Sequence, residues 1–113
     1  MDSERFNEVV KARIDKCLNV LCKKANEYAT EDRLHNFKVA AGLQNCSAIT
    51  ALAGMMAKHT VSVYDLVRNQ ECGAIIPKEM WDEKIGDSIN YLLLLTALVE
   101  EQNAELTASI IGE

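Results

Sequence analysis

The chain is poor in the residues that punctuate β structure. One proline and five glycines in 113 residues, with aromatics at 5%, leave too few turn and strand formers for an all-β domain. Basic residues are also in deficit. Twelve Lys and Arg against seventeen Asp and Glu give a net charge of -5, which excludes general attraction to nucleic acid or an anionic membrane. Any bound anion must be held locally. Long apolar runs are missing too: Tyr91 to Val99 falls well short of the roughly 20 residues that span a bilayer. The opening MDSERFNEVV carries acids and no apolar signal core, so the expected location is the cytoplasm. Cys17, Cys22, Cys46 and Cys72 lack zinc-finger spacing and read as reduced thiols, small core residues rather than a disulfide framework.

What remains is a composition of 49% hydrophobic and 26% charged residues, ordinary for one globular domain over residues 1–113. The periodicity is helical. Phe6, Val10, Ile14, Cys17, Leu21, Ala25 and Tyr28 step by three and four along one stripe, which predicts a long first helix, with Ser3 near its start and its end around residue 29. A shorter amphipathic piece follows between residues 30 and 46, anchored by Leu34, Phe37, Ala41 and Leu43 and stopped at Gly42. Asn45 or Ser47 then caps a second long helix to about residue 69. Ile49, Leu52, Met56, Val63, Leu66 and Val67 are its core candidates, and Ala51, Ala53, Gly54 and Ala57 allow close approach.

Pro77 suits the first turn of a third long helix running to about Asn103, with a short C-terminal helix near Ala104 to Ile111. Ile89, Tyr91 to Leu95 and Ala97 to Val99 cover almost its whole circumference, more than one small chain can bury. The expected architecture is therefore an all-α bundle of three long helices plus short connecting and C-terminal helices, forming a homo-oligomer through the helix 78–103.

Chemistry has few places to sit. Glu79, Glu83 and Asp87 are spaced four and four, which aligns three carboxylates at the start of the third helix. They are either solvated partners of the helix dipole or ligands for a cation, and for Mg²⁺ the better pair is Glu83 and Asp87. Asn90 follows three residues later on the same face. On the second helix Lys58 and His59 interrupt an apolar sequence, so Lys58 needs either a carboxylate partner or a phosphate. His59 has only the distant His35 as companion, which excludes a histidine metal cluster, and packing is the simpler role for it. In KKANEYATEDRLHNF, Lys24, Tyr28, Arg33, Asn36 and Phe37 form a polar connection. Tyr28 and Phe37 either sandwich a base or plug the core. There is no glycine-rich phosphate loop and no activated-serine pattern.

KANEY followed by Asn36 and Phe37, then GMMAKHTVSVYDLV, then EKIGDSINYLLLL resemble the all-α nucleoside triphosphate pyrophosphohydrolases of the MazG-like group. Within that group the chain is most similar to a phage-associated branch of nucleotide-modification-associated domains, over roughly residues 23 to 98. The resemblance implies that two helices each contribute paired acids to Mg²⁺ and that water attacks the phosphate chain. This chain departs from that pattern at Lys84, where the family carries an acid, and from Ala48 to Ser62, where it has no Asp or Glu. Half of the implied metal cage is missing.

Two functions follow as expectations. The first is binding of a phosphorylated nucleotide, sequestered without turnover, with a phage counter-defence role. Lys24, Tyr28, Asn36 and Phe37 meet the ligand on one side, Lys58 and His59 meet phosphate, and Asp87 and Asn90 orient the ribose or a neighbouring subunit. The second is an Mg²⁺-dependent nucleotide pyrophosphohydrolase in which Glu79, Glu83 and Asp87 hold the metal, Glu83 and Asp87 being the better pair, and Lys58 stabilises charge on the phosphate chain, with substitute acids from Glu27, Glu31 or Asp65. A plain helical adaptor is the third reading.

Overall fold

The computed structural model of the chain describes residues 1–24 and 32–112, with Lys24 placed by its backbone alone. Every regular element among them is helical. The chain divides into two units, Met1–Asp32 and Arg33–Glu113.

In the first unit, α1 spans Ser3–Leu18. Its cap is Asp2 rather than Ser3: the Asp2 carboxylate accepts from the Arg5 amide at 2.8 Å, satisfying one of the free donors of the first turn. The helix then widens to a π-helical segment, Asn19–Lys24. Phe6 and Ile14 are more than half exposed, whereas Cys17, on the same stripe, is buried.

The second unit holds α2 (His35–Gln44), α3 (Ala48–Glu71) and α4 (Lys78–Ile111). Gly42 does not stop α2. Asn45 does, three residues later, by turning to φ 54°. The Cys46 amide donates to the Ala41 carbonyl and the Asn45 amide to the Gly42 carbonyl, closing the helix end. Asn tolerates that left-handed conformation better than most residues, because its short polar side chain can bond locally. Ser47 then caps α3, its Oγ accepting from the Thr50 amide at 3.1 Å, and the axis bends by 99° between α2 and α3.

The turn after α3 closes in the same way. Gly73, at φ 98°, lets the Ala74 amide reach the Asn69 carbonyl. Pro77 lies just outside α4 and accepts the Met80 and Trp81 amides. Trp81 Nε1 donates to Gln70 Oε1 at 3.1 Å, tying the start of α4 to the end of α3.

Leu34, Phe37, Leu52 and Leu98 form the core of this unit, with Ile49, Met56, Tyr91, Leu94 and Leu95 packed around them. Leu52 has no exposed surface, and burying a leucine fully contributes about 1.5–3 kcal/mol. Two expected anchors are exposed instead: Leu43 is 83% exposed and Val67 is 51% exposed. α4 runs unbroken for 34 residues to Gly112, so no separate C-terminal helix exists. The chain lacks any glycine or proline between Gly86 and Gly112 that would break it. No single helix among the described residues is long and apolar enough to cross a membrane.

Candidate functional site

The polar residues of the α3–α4 hairpin converge where His59 faces Asp87. His59 Nδ1 lies 3.5 Å from Asp87 Oδ2, and this contact joins α3 to α4 midway between the Trp81–Gln70 bond and the apolar core around Leu52 and Leu98. The imidazole also stacks on the Tyr91 ring, with centroids 4.7 Å apart and planes at 29°. Asp87 and Tyr91 are one turn apart on α4, so a single face of that helix meets His59 with a carboxylate and with a ring. Phe37 then meets the far side of the cluster, edge-on to Tyr91 at 6.3 Å. The imidazole is thereby held in one orientation, and when protonated it carries a positive charge balanced by Asp87.

Around this pair, Lys58 is exposed and makes no ion pair with any described residue, so its ammonium is available to an incoming anion. Asn90 follows Asp87 on the next turn of α4. Its Oδ1 is buried and has no hydrogen-bond partner among the described residues, as is the case for Ser88 Oγ. A buried amide oxygen without a donor costs about 1–3 kcal/mol. Such an atom is satisfied if a donor arrives.

The carboxylates considered for a cation are arranged differently. Glu83 is exposed, with Lys84 Nζ 3.9 Å from its Oε1, while Asp87 is engaged by His59. Lys78 pairs with Asp82 at 3.3 Å. Among the described residues no group of three or more His, Cys, Asp or Glu side chains is placed to hold a metal ion.

Of the residues singled out from the sequence, His59 and Asp87 are brought together, with Lys58 adjacent in α3 and Asn90 one turn along α4. Phe37 is a core residue, 8% exposed, that backs Tyr91 rather than offering a face to solvent. Asn36 is exposed in the first turn of α2. Tyr28, Glu27, Glu31 and the side chain of Lys24 lie outside the described residues. Tyr91 is the residue that sequence reasoning missed as a partner of His59. Its signal was the four-residue step from Asp87, which places both on one face.

A second feature lies farther along α4. An open cleft of about 450 Å³ is lined by Lys38, Ala48, Ile49, Leu98, Glu101 and Glu105, among others, and the Lys38–Glu101 ion pair, at 2.6 Å, crosses its edge. Fourteen residues separate Asp87 from Glu101, about 21 Å along a helix. The cleft is therefore distinct from the His59 cluster. No family model, curated protein or solved structure matches the chain.

Proposed function

We propose that the His59 face of the α3–α4 hairpin binds a phosphorylated nucleotide and holds it without turnover. The observation that carries this reading is the oriented His59–Asp87–Tyr91 cluster beside Lys58, which has no ion-pair partner among the described residues. Lys58 and His59 supply positive charge for phosphate, as charge-assisted donors. Asp87 and the unpartnered Asn90 oxygen accept hydrogen bonds from hydroxyl groups such as those of a ribose. Lys24, Tyr28 and Asn36 belong to the same proposal as contacts on the base side. Assembly into a homo-oligomer through the helix 78–103, a MazG-like relationship, a phage counter-defence role and a cytoplasmic location complete it.

The absence of acids from Ala48 to Ser62 favours retention over hydrolysis, because a fixed cation can hold phosphate without activating water. The alternative, an Mg²⁺-dependent nucleotide pyrophosphohydrolase, is favoured by Glu83 and Asp87 standing one turn apart on α4. In that case Mg²⁺ would join these two carboxylates to the substrate phosphates, and Lys58 would stabilise charge on the phosphate chain.

The test is ligand recovery. The chain is incubated with a nucleotide panel with and without Mg²⁺, washed and denatured, and the released species are identified by mass spectrometry. Intact nucleotide retained without Mg²⁺ is expected. Lys58→Ala and His59→Ala should each weaken retention about tenfold to a hundredfold, the loss of one hydrogen bond to a charged group. Monophosphate and pyrophosphate appearing only with Mg²⁺ would replace this reading by the hydrolase, and no retained or altered nucleotide would leave the adaptor.

A further inference from the structure

The α3 and α4 sides of the His59 cluster offer opposite hydrogen-bonding chemistry. From α3 come groups that give protons. Lys58 carries an ammonium, and because His59 turns Nδ1 to Asp87 at 3.5 Å, the ring nitrogen left for a ligand is Nε2, a donor whenever the imidazole is protonated. From α4 come acceptors. Asp87 keeps Oδ1 beside the oxygen that His59 meets, and Asn90, three residues on and about 60° round the helix, adds its amide oxygen. A phosphate suits the α3 side only, since its oxygens are acceptors and its charge has the sign of Asp87. The α4 side needs donors, and two neighbouring acceptors suit two of them.

Asn90 is the informative member of that pair. Its oxygen is buried and no described residue bonds it, so the amide does not tie α4 to its neighbours through that atom. An unmet buried acceptor weakens the free chain. A half-buried position on a packed helix would be filled more favourably by an apolar side chain of the same size, unless the amide is completed by something that binds.

We infer that the site takes a ribonucleotide in preference to its 2′-deoxy counterpart, with Asp87 and Asn90 each accepting from one of two neighbouring sugar hydroxyls, and that Asn90 sets the preference. A deoxynucleotide keeps one hydroxyl for the carboxylate and leaves the Asn90 oxygen unpaired beneath it. Binding sites discriminate most strongly in that situation, because the missing hydroxyl strands a buried partner. The inference rests on the reading of this face as a nucleotide site and adds the sugar to it. Ser88 supplies a control of similar chemistry. It carries the other unpaired buried oxygen of α4, but it stands about 160° round the helix from Asn90.

Calorimetric titration of the full chain, without Mg²⁺, compares ribonucleoside monophosphates and triphosphates with their 2′-deoxy forms, base by base. For the base that binds, the ribose form should bind about tenfold to a hundredfold more tightly. Asn90→Ala should remove most of that ratio while both forms still bind, and Ser88→Ala should keep it. Thermal unfolding without nucleotide separates a binding residue from a structural one. Asn90→Leu, close to asparagine in size, should melt at or above the parent temperature, and a fall of several degrees would mean that Asn90 holds the fold instead. Equal binding of the two sugars, or tighter binding of the deoxy form, would overturn the inference and leave the nucleotide reading in place. Binding of neither form of any nucleotide would overturn both. A ribose preference that survives Asn90→Ala would overturn the part given to Asn90.

Discussion

Leu98 and Val99 are neighbours on α4, and they have opposite surroundings. Leu98 is 4% exposed, inside the cluster of Leu34, Phe37 and Leu52, whereas Val99 is 39% exposed. The same contrast holds between the two ends of the helix. Its first part lies along α3, from the Trp81–Gln70 bond to the packing of Leu98 in the cluster that Ala48 and Ile49 join. From residue 102 to 112 every residue is exposed. Apolar periodicity says which residues want cover, but the partner's length decides which of them get it within one chain. α3 has 24 residues and α4 has 34, so α4 runs past its partner.

The largest test of that contrast is a pair of alanine substitutions one residue apart. Leu98→Ala removes a buried leucine side chain and should cost about 2–5 kcal/mol in urea unfolding. Val99→Ala, measured at concentrations too dilute for self-association, should stay within about 0.5 kcal/mol of the parent chain. Its cost should grow with protein concentration, because any partner that binds only the folded chain adds stability by mass action. Equal costs for the two substitutions in dilute solution would erase the difference between the faces.

Much of this architecture can be read in the sequence, and the misreadings have physical causes. The apolar spacing from Ala48 onward and the Gly73 to Pro77 break locate the α3–α4 hairpin within a few residues. The apolar run places the end of α4 near Asn103, because Gln102 and Asn103 close it. A polar residue does not break a helix, however, and none of the residues before Gly112 does. Glycine is the residue most often found at helix ends and points to Gly42 as the end of α2, whereas the left-handed position belongs to Asn45. The candidate site is legible in the sequence only along each helix. Asp87 and Asn90 share a face by spacing, but the meeting of His59 with Asp87 joins residues on two helices, which depends on how α3 and α4 pack. Tyr91 read as one member of an apolar run, and only that packing makes it the ring on which His59 lies.

A smaller effect sharpens the comparison at the start of α3, whose position sets where α4 loses its neighbour. Ser47 Oγ accepts from the Thr50 amide and donates to Thr50 Oγ1 at 2.9 Å. Ser47→Ala removes both and should cost about 1 kcal/mol, the usual worth of such a cap. The first turn of α3 should then show faster amide hydrogen exchange, with the Trp81 end of the hairpin unchanged. Loosening at both ends together would mean that the hairpin opens as one unit.

The smallest effect compares the two corners of this unit, which close by the same pair of backbone bonds but use different residues. Gly73 holds φ 98° after α3, and Asn45 holds φ 54° after α2. Asn45→Gly relieves the side-chain cost of the left-handed conformation, which stabilises the folded chain. The same change gives the unfolded chain more freedom to lose, which destabilises it by about 0.4–1 kcal/mol. The two terms oppose, and because Asn is among the residues that tolerate this conformation, the net change in unfolding free energy should stay below about 0.5 kcal/mol. A larger loss would show that the Asn45 side chain, and not only its backbone geometry, holds the corner from which α3 begins.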